Sequence, residues 1–146
     1  MSETRTAEAA EPAVKLARVR SQSAGLVFML IIQFILGIIY NLYGSIPATG
    51  KSIGLFSNGW LVVHEIMGVL LLLAAIGLVA TAMRTGIGLA KATSWIGLIA
   101  IVAAIGAGIG FTRNVGNGNS LGMSLASAIS LACYVINLAR LPSGES

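Results

Sequence analysis

The chain has 146 residues, 56% of them hydrophobic and 10% charged, with a formal net charge of +4 at pH 7. A charged tenth is far below the quarter usual for a soluble domain, so the composition fits a bilayer as solvent. The nine Lys and Arg are spread over tails and loops with no face of interleaved aromatics, which argues against nucleic acid as a partner. One cysteine, Cys133, excludes both an intrachain disulfide framework and a cysteine metal site.

In chain order, residues 1–23 are rich in Ala, Glu, Thr and Arg and poor in large apolar side chains, which predicts a solvated, disordered tail. The first apolar run, about Ala24–Leu42, is long for a signal peptide and lacks a small-residue cleavage site after it, so it reads as an uncleaved anchor. A Gly-, Ser- and Pro-containing loop follows. The second helix is predicted over about Trp60–Met83, ending before Arg84, and the third over Gly88–Phe111. The turn-forming stretch Asn114–Ser120 precedes a fourth helix over about Leu121–Ala139, and residues 141–146 form a short tail. About twenty apolar residues cross a hydrocarbon core roughly 30 Å thick. The predicted fold is therefore all-α: a 24–140 domain of four transmembrane helices in an up-down-up-down bundle.

Basic residues near helix ends are kept preferentially on the cytoplasmic side. Placing both termini there puts Arg5, Lys15, Arg18, Arg20, Arg84, Lys91 and Arg140 inside and leaves only Lys51 and Arg113 outside. Trp60 then falls at the outer interface and Trp95 toward the inner one. The absence of any barrel pattern points to the plasma (cytoplasmic) membrane. Small residues four apart, Ala104 with Gly108, Gly106 with Gly110, and the row Gly122, Ala126, Ser130, predict close helix packing within the bundle or in a homo-oligomer.

Polar side chains inside such segments are costly and are candidate functional groups. His64 and Glu65 lie about one turn into the second helix, and Arg113 and Asn114 end the third on the same side. One reading pairs Glu65 with Arg113 while His64, about 100° round the helix, faces a pocket. The competing reading is that these groups mark where the headgroups begin. Gln33 lies near the middle of the first helix, one or two turns deeper than His64, where an unpaired amide is costly and a cross-helix bond is predicted. Asn41, with Tyr40 and Tyr43, closes that helix on the outer side. The stretch GSIPATGKS, Gly44–Ser52, looks like a phosphate loop but has five residues between its glycines and no strand before it. A lone histidine without a supporting motif is no catalytic triad.

Three segments, QFILGIIYNLYGSIP from Gln33, HEIMGVLL from His64 and GFTRNVGNGNSLGMSLASAISLACY from Gly110, together resemble a family of small, uncharacterised four-helix membrane proteins found in prokaryotes. The resemblance covers roughly three of the four helices. It implies the same layout and a role for Gln33, Asn41, His64 and Asn114, and it implies no particular activity or cofactor.

Three functions remain open at this level. The leading one is a non-enzymatic bundle that binds a lipid-soluble ligand or a membrane-protein partner through the cluster Gln33, Asn41, His64, Glu65, Arg113 and Asn114. A second is a redox or haem-binding subunit using His64, for which bis-histidine ligation would need a second chain. A third is a small transporter or proton relay lined by Glu65, His64 and Gln33.

Overall fold

The computed structural model describes residues 2–44, 46–54 and 57–142, with side chains from residue 13 onward. Four helices account for most of it: α1 (Ser2–Tyr43), α2 (Gly59–Met83), α3 (Gly88–Arg113) and α4 (Asn117–Arg140). No strand occurs among the described residues. Each helix contains a stretch long and apolar enough to cross a membrane, in α1 the part Ala13–Tyr43. Large apolar side chains point away from the bundle on all four helices: Phe28 and Phe34 on α1, Leu73 on α2, Ile99 on α3 and Leu125 on α4 are each more than half exposed. In water such a surface would be an aggregation patch, whereas in a bilayer it is where lipid chains lie. The chain is a multi-pass membrane protein.

The helices are antiparallel neighbours in a closed ring, α1 against α2, α2 against α3, α3 against α4, and α4 back against α1. Both termini and the α2–α3 turn share one end, and Gly86 there has φ +75°, a left-handed conformation that glycine adopts without strain. The opposite end carries the 44–58 loop and the α3–α4 turn. Interior positions recur in alternating steps of three and four: Val19, Ser23, Leu26 and Leu30 on α1, and Leu71, Ala75, Leu78 and Ala82 on α2, are all buried. This is the spacing that keeps one seam of a helix on its neighbours.

Two boundaries differ from the sequence expectation. Residues 1–23 were expected to be disordered, yet α1 runs back to Ser2. Val19 and Ser23 in this segment are fully buried, and the Arg20 guanidinium donates to the Leu141 carbonyl at the end of α4. Ala-, Glu- and Arg-rich sequence is strongly helix-forming once an adjoining helix nucleates it. The α3–α4 connection was expected over Asn114–Ser120, but α4 begins at Asn117 and the Ser120 amide already donates to Gly116. Near a membrane, an extra turn satisfies backbone groups that a Gly/Asn loop would leave open. Of the expected C-terminal tail, residues 143–146 lie outside the described residues.

At the end away from the termini the loop is fastened down. The Gly50 amide donates to the Val115 carbonyl, Val115 donates back to Lys51, both at 3.0 Å, and Ile53 donates to Thr112 at 2.7 Å. These bonds tie the α1–α2 hairpin to the α3–α4 hairpin. Beneath them Tyr40, Ile53, Leu61 and Val115 form a small buried apolar cluster that roofs the bundle. The GSIPATGKS segment is part of this tie, and Gly50, with φ +88°, is its turn.

Candidate functional site

Below that roof lies a layer of different character. Gln33 and Gly37 continue the interior stripe of α1, His64 and Gly68 that of α2, and Ala104 and Gly108 that of α3. All six are only partly buried, whereas the stripe toward the termini is buried outright. The layer is thus bounded by Tyr40 and Leu61 on one side and by Leu30, Leu71 and Ile101 on the other.

Gln33 and His64 meet across the α1–α2 seam. The Gln33 side-chain nitrogen is 3.0 Å from His64 Nε2 and donates to the His64 backbone carbonyl at 3.1 Å. The second bond fixes the amide orientation, because an amide oxygen in that place would face the carbonyl oxygen, acceptor against acceptor. Gln33 therefore donates to both, His64 Nε2 accepts, and the neutral imidazole carries its proton on Nδ1. Two groups are left over: His64 Nδ1 and Gln33 Oε1 are buried with no partner. Leaving such groups unpaired costs about 1–3 kcal/mol each.

Local sequence makes this contact possible through glycine. A Cβ on Gly37 would lie 3.5 Å from His64 Cε1, and one on Gly68 would lie 3.5 Å from the Gln33 side-chain nitrogen. Each helix thus offers a polar residue and, one turn later, a glycine on which the partner's polar residue rests. The pattern is Gln-x-x-x-Gly on α1 and His-x-x-x-Gly on α2, and antiparallel packing brings the two together reciprocally. Gln33 is level with His64, not one or two turns deeper. Gln33 is ten residues from the end of α1, about 15 Å, and His64 five from the start of α2, about 7.5 Å. About the last turn and a half of α1 consequently overshoots α2 and reaches the roof.

Glu65 follows His64 on α2, and its Oε1 is also buried without a partner. It forms no ion pair with Arg113. That side chain is exposed at the end of α3, where the backbone is held by the tie to the 50–53 segment. Asn114 is exposed too and ends α3, its amide donating to Gly110 and its carbonyl accepting from Asn119 at 3.3 Å. Asn41 is exposed on α1. Gln33 and His64 are brought to one seam, with Glu65 next to His64 in sequence, while Asn41, Arg113 and Asn114 are not part of it.

A second polar group escaped the sequence reading. Asn137 of α4 is fully buried, accepts from the Thr93 hydroxyl at 2.5 Å and donates to the Ser23 hydroxyl at 3.3 Å, linking α4 to α3 and α1. Ser130 donates to the Gly97 carbonyl at 3.1 Å, and the fully buried Tyr134 side chain packs against Gly97. The signal was an amide in an apolar run, the same that marked Gln33. Of the small-residue pairs, Gly108 faces Met123 and Gly122 faces Ala107 within the chain, while Gly106 is exposed.

Among the described residues no three His, Cys, Asp or Glu gather as a metal site. No protein-family model, curated protein or solved structure matches this chain.

Proposed function

We propose that this membrane protein binds a small lipid-soluble molecule in the layer between the roof and the closed half of the bundle, with Gln33 and His64 as its polar contacts. The observation that carries this reading is that the orphaned atoms of Gln33 and His64 lie among interior positions that stay half-buried. A partner helix or a second copy fits less well, because the stripe that holds Gln33 and His64 turns inward and a helix docking from outside meets Phe34 and Leu73 instead. A haem or metal on His64 Nε2 would first have to displace the Gln33 donor. A proton relay would need ionisable steps toward the termini, where the buried polar side chains among the described residues are Ser23, Thr93, Ser94, Ser130 and Asn137, none of them ionisable.

The same reading puts the termini on the cytoplasmic face of the plasma membrane. Arg18, Arg20, Arg84, Lys91 and Arg140 collect at the terminal end, the distribution favoured on that side.

Native mass spectrometry on protein released gently from its own membranes tests the binding. A discrete apolar adduct is expected, lost in His64→Phe with helicity unchanged. Bare protein from native membranes, at every release condition that preserves other lipid adducts, would overturn it.

A further inference from the structure

The chemistry of the unpaired atoms narrows the ligand, an argument that rests on the binding reading just given. Two buried atoms at the seam have no partner, Gln33 Oε1 and His64 Nδ1, and neither has Oε1 of Glu65, the next residue along α2. Of these three, two are carbonyl- or carboxyl-type acceptors, and one is a donor once Nε2 is engaged by Gln33. Covalent geometry keeps Gln33 Oε1 and His64 Nδ1 close. Each is about 2 Å from the atom through which the two side chains touch, so they are at most about 7 Å apart.

A head that satisfies this set must be compact, must donate at least as often as it accepts, and must bring an acceptor for Nδ1–H. A carboxylate or phosphate head has acceptors only and would confront Gln33 Oε1 and Glu65 Oε1 with more of the same. An ester or ether head can answer Nδ1–H and nothing else. A hydroxyl both donates and accepts, and two hydroxyls within a few ångströms cover the span. The surrounding helix faces are apolar, which suits a lipid chain beside that head.

We infer that the ligand is an uncharged lipid with a hydroxylated head, of monoacylglycerol type, and not an anionic lipid or an ionised fatty acid.

The test compares three probes with one chain, 1-monooleoylglycerol, methyl oleate and oleate, by competition in lipid nanodiscs read by native mass spectrometry. Monooleoylglycerol is expected to bind at least tenfold more tightly than either of the others. Gln33→Leu is expected to reduce that preference to within about threefold while the helical spectrum is kept. Equal retention of methyl oleate and monooleoylglycerol, both lost in His64→Phe, would overturn the hydroxyl inference and leave the binding site standing. Preference for oleate would overturn it as well. Retention of none of the three, with the native apolar adduct still present, would likewise reject this head chemistry, and loss of that adduct too would reject the site itself.

Discussion

The two halves of this bundle use buried polar side chains in opposite ways. Toward the termini, Asn137 spends its amide at both ends, on Thr93 and Ser23, and the residues around it are sealed from solvent. The Gln22 amide oxygen and the Ser94 and Tyr134 hydroxyls there also lack partners, the hydroxyls being able to rotate. Toward the opposite end Gln33 and His64 satisfy each other only in part, and an amide oxygen and an imidazole nitrogen are left without partners among half-buried neighbours. The difference teaches that an amide inside a membrane helix does not by itself mean a site. What separates a staple from a binding group is whether its bonding capacity is used up inside the chain.

The largest expected effect is in the closed half. A Cβ on Gly97 would lie 2.6–2.8 Å from the Tyr134 ring, closer than carbon atoms approach, and Tyr134 is fully buried with no room to retreat. Gly97→Ala should cost about 3 kcal/mol, the upper range for overpacking, as measured by denaturant unfolding in detergent micelles. Adding Tyr134→Leu should recover most of the loss, whereas Tyr134→Phe, which keeps the ring, should not. Asn137→Leu comes next, at about 1–2 kcal/mol, the range for a polar contact between membrane helices. The loss is limited because the Thr93 hydroxyl can turn to the Leu89 carbonyl, 2.8 Å away. A near-neutral Asn137→Leu would mean that the network does not hold α1, α3 and α4 together.

How much of this could be seen in the sequence follows the same division. Hydropathy alone places the membrane segments, because a run of twenty apolar residues has few alternatives, and α2 and α3 start within a residue of their expected positions. The start of α1 was hidden, since the tail's composition allows either a solvated coil or a helix and the choice depends on the docking of Val19 and Ser23. Gln33 stood out by its central position, while Asn137 lies three residues before Arg140, where a polar side chain at a helix end is common. The Glu65–Arg113 pairing failed for a reason that helix periodicity cannot carry. The 50–53 segment bonds to 112–115 and fixes the end of α3 where Arg113 faces outward. The reciprocal Gln-x-x-x-Gly and His-x-x-x-Gly spacing was legible in principle, but its meaning depends on knowing that α1 overshoots α2 by about one and a half turns.

In the open half the same class of change should have little effect on stability. Replacing Gln33 and His64 together by Leu removes both partners and both orphaned atoms, a change that is near neutral when shapes are similar. Unfolding free energy should stay within about 1 kcal/mol of the parent, while the apolar adduct disappears from the native mass spectrum. A loss comparable to that of Gly97→Ala would show that the pair is a staple like Asn137 and would erase the distinction between the halves.

The smallest effect sharpens the contrast most, because it applies the identical substitution to both halves. A Cβ on Gly37 would sit 3.5 Å from His64 Cε1, an ordinary van der Waals contact, and alanine is the better helix former by up to about 1 kcal/mol. Gly37→Ala should therefore be neutral or slightly stabilising in the unfolding measurement that registers Gly97→Ala as severe. Gly37→Leu should separate the two quantities further, since its side chain enters the half-buried layer, where it can be accommodated but takes the ligand's place. Retained stability with lost adduct is the expected result. If Gly37→Leu instead unfolds the protein as Gly97→Ala does, the layer is as closely filled as the rest of the bundle, and the orphaned atoms of Gln33 and His64 have no space in which to be answered.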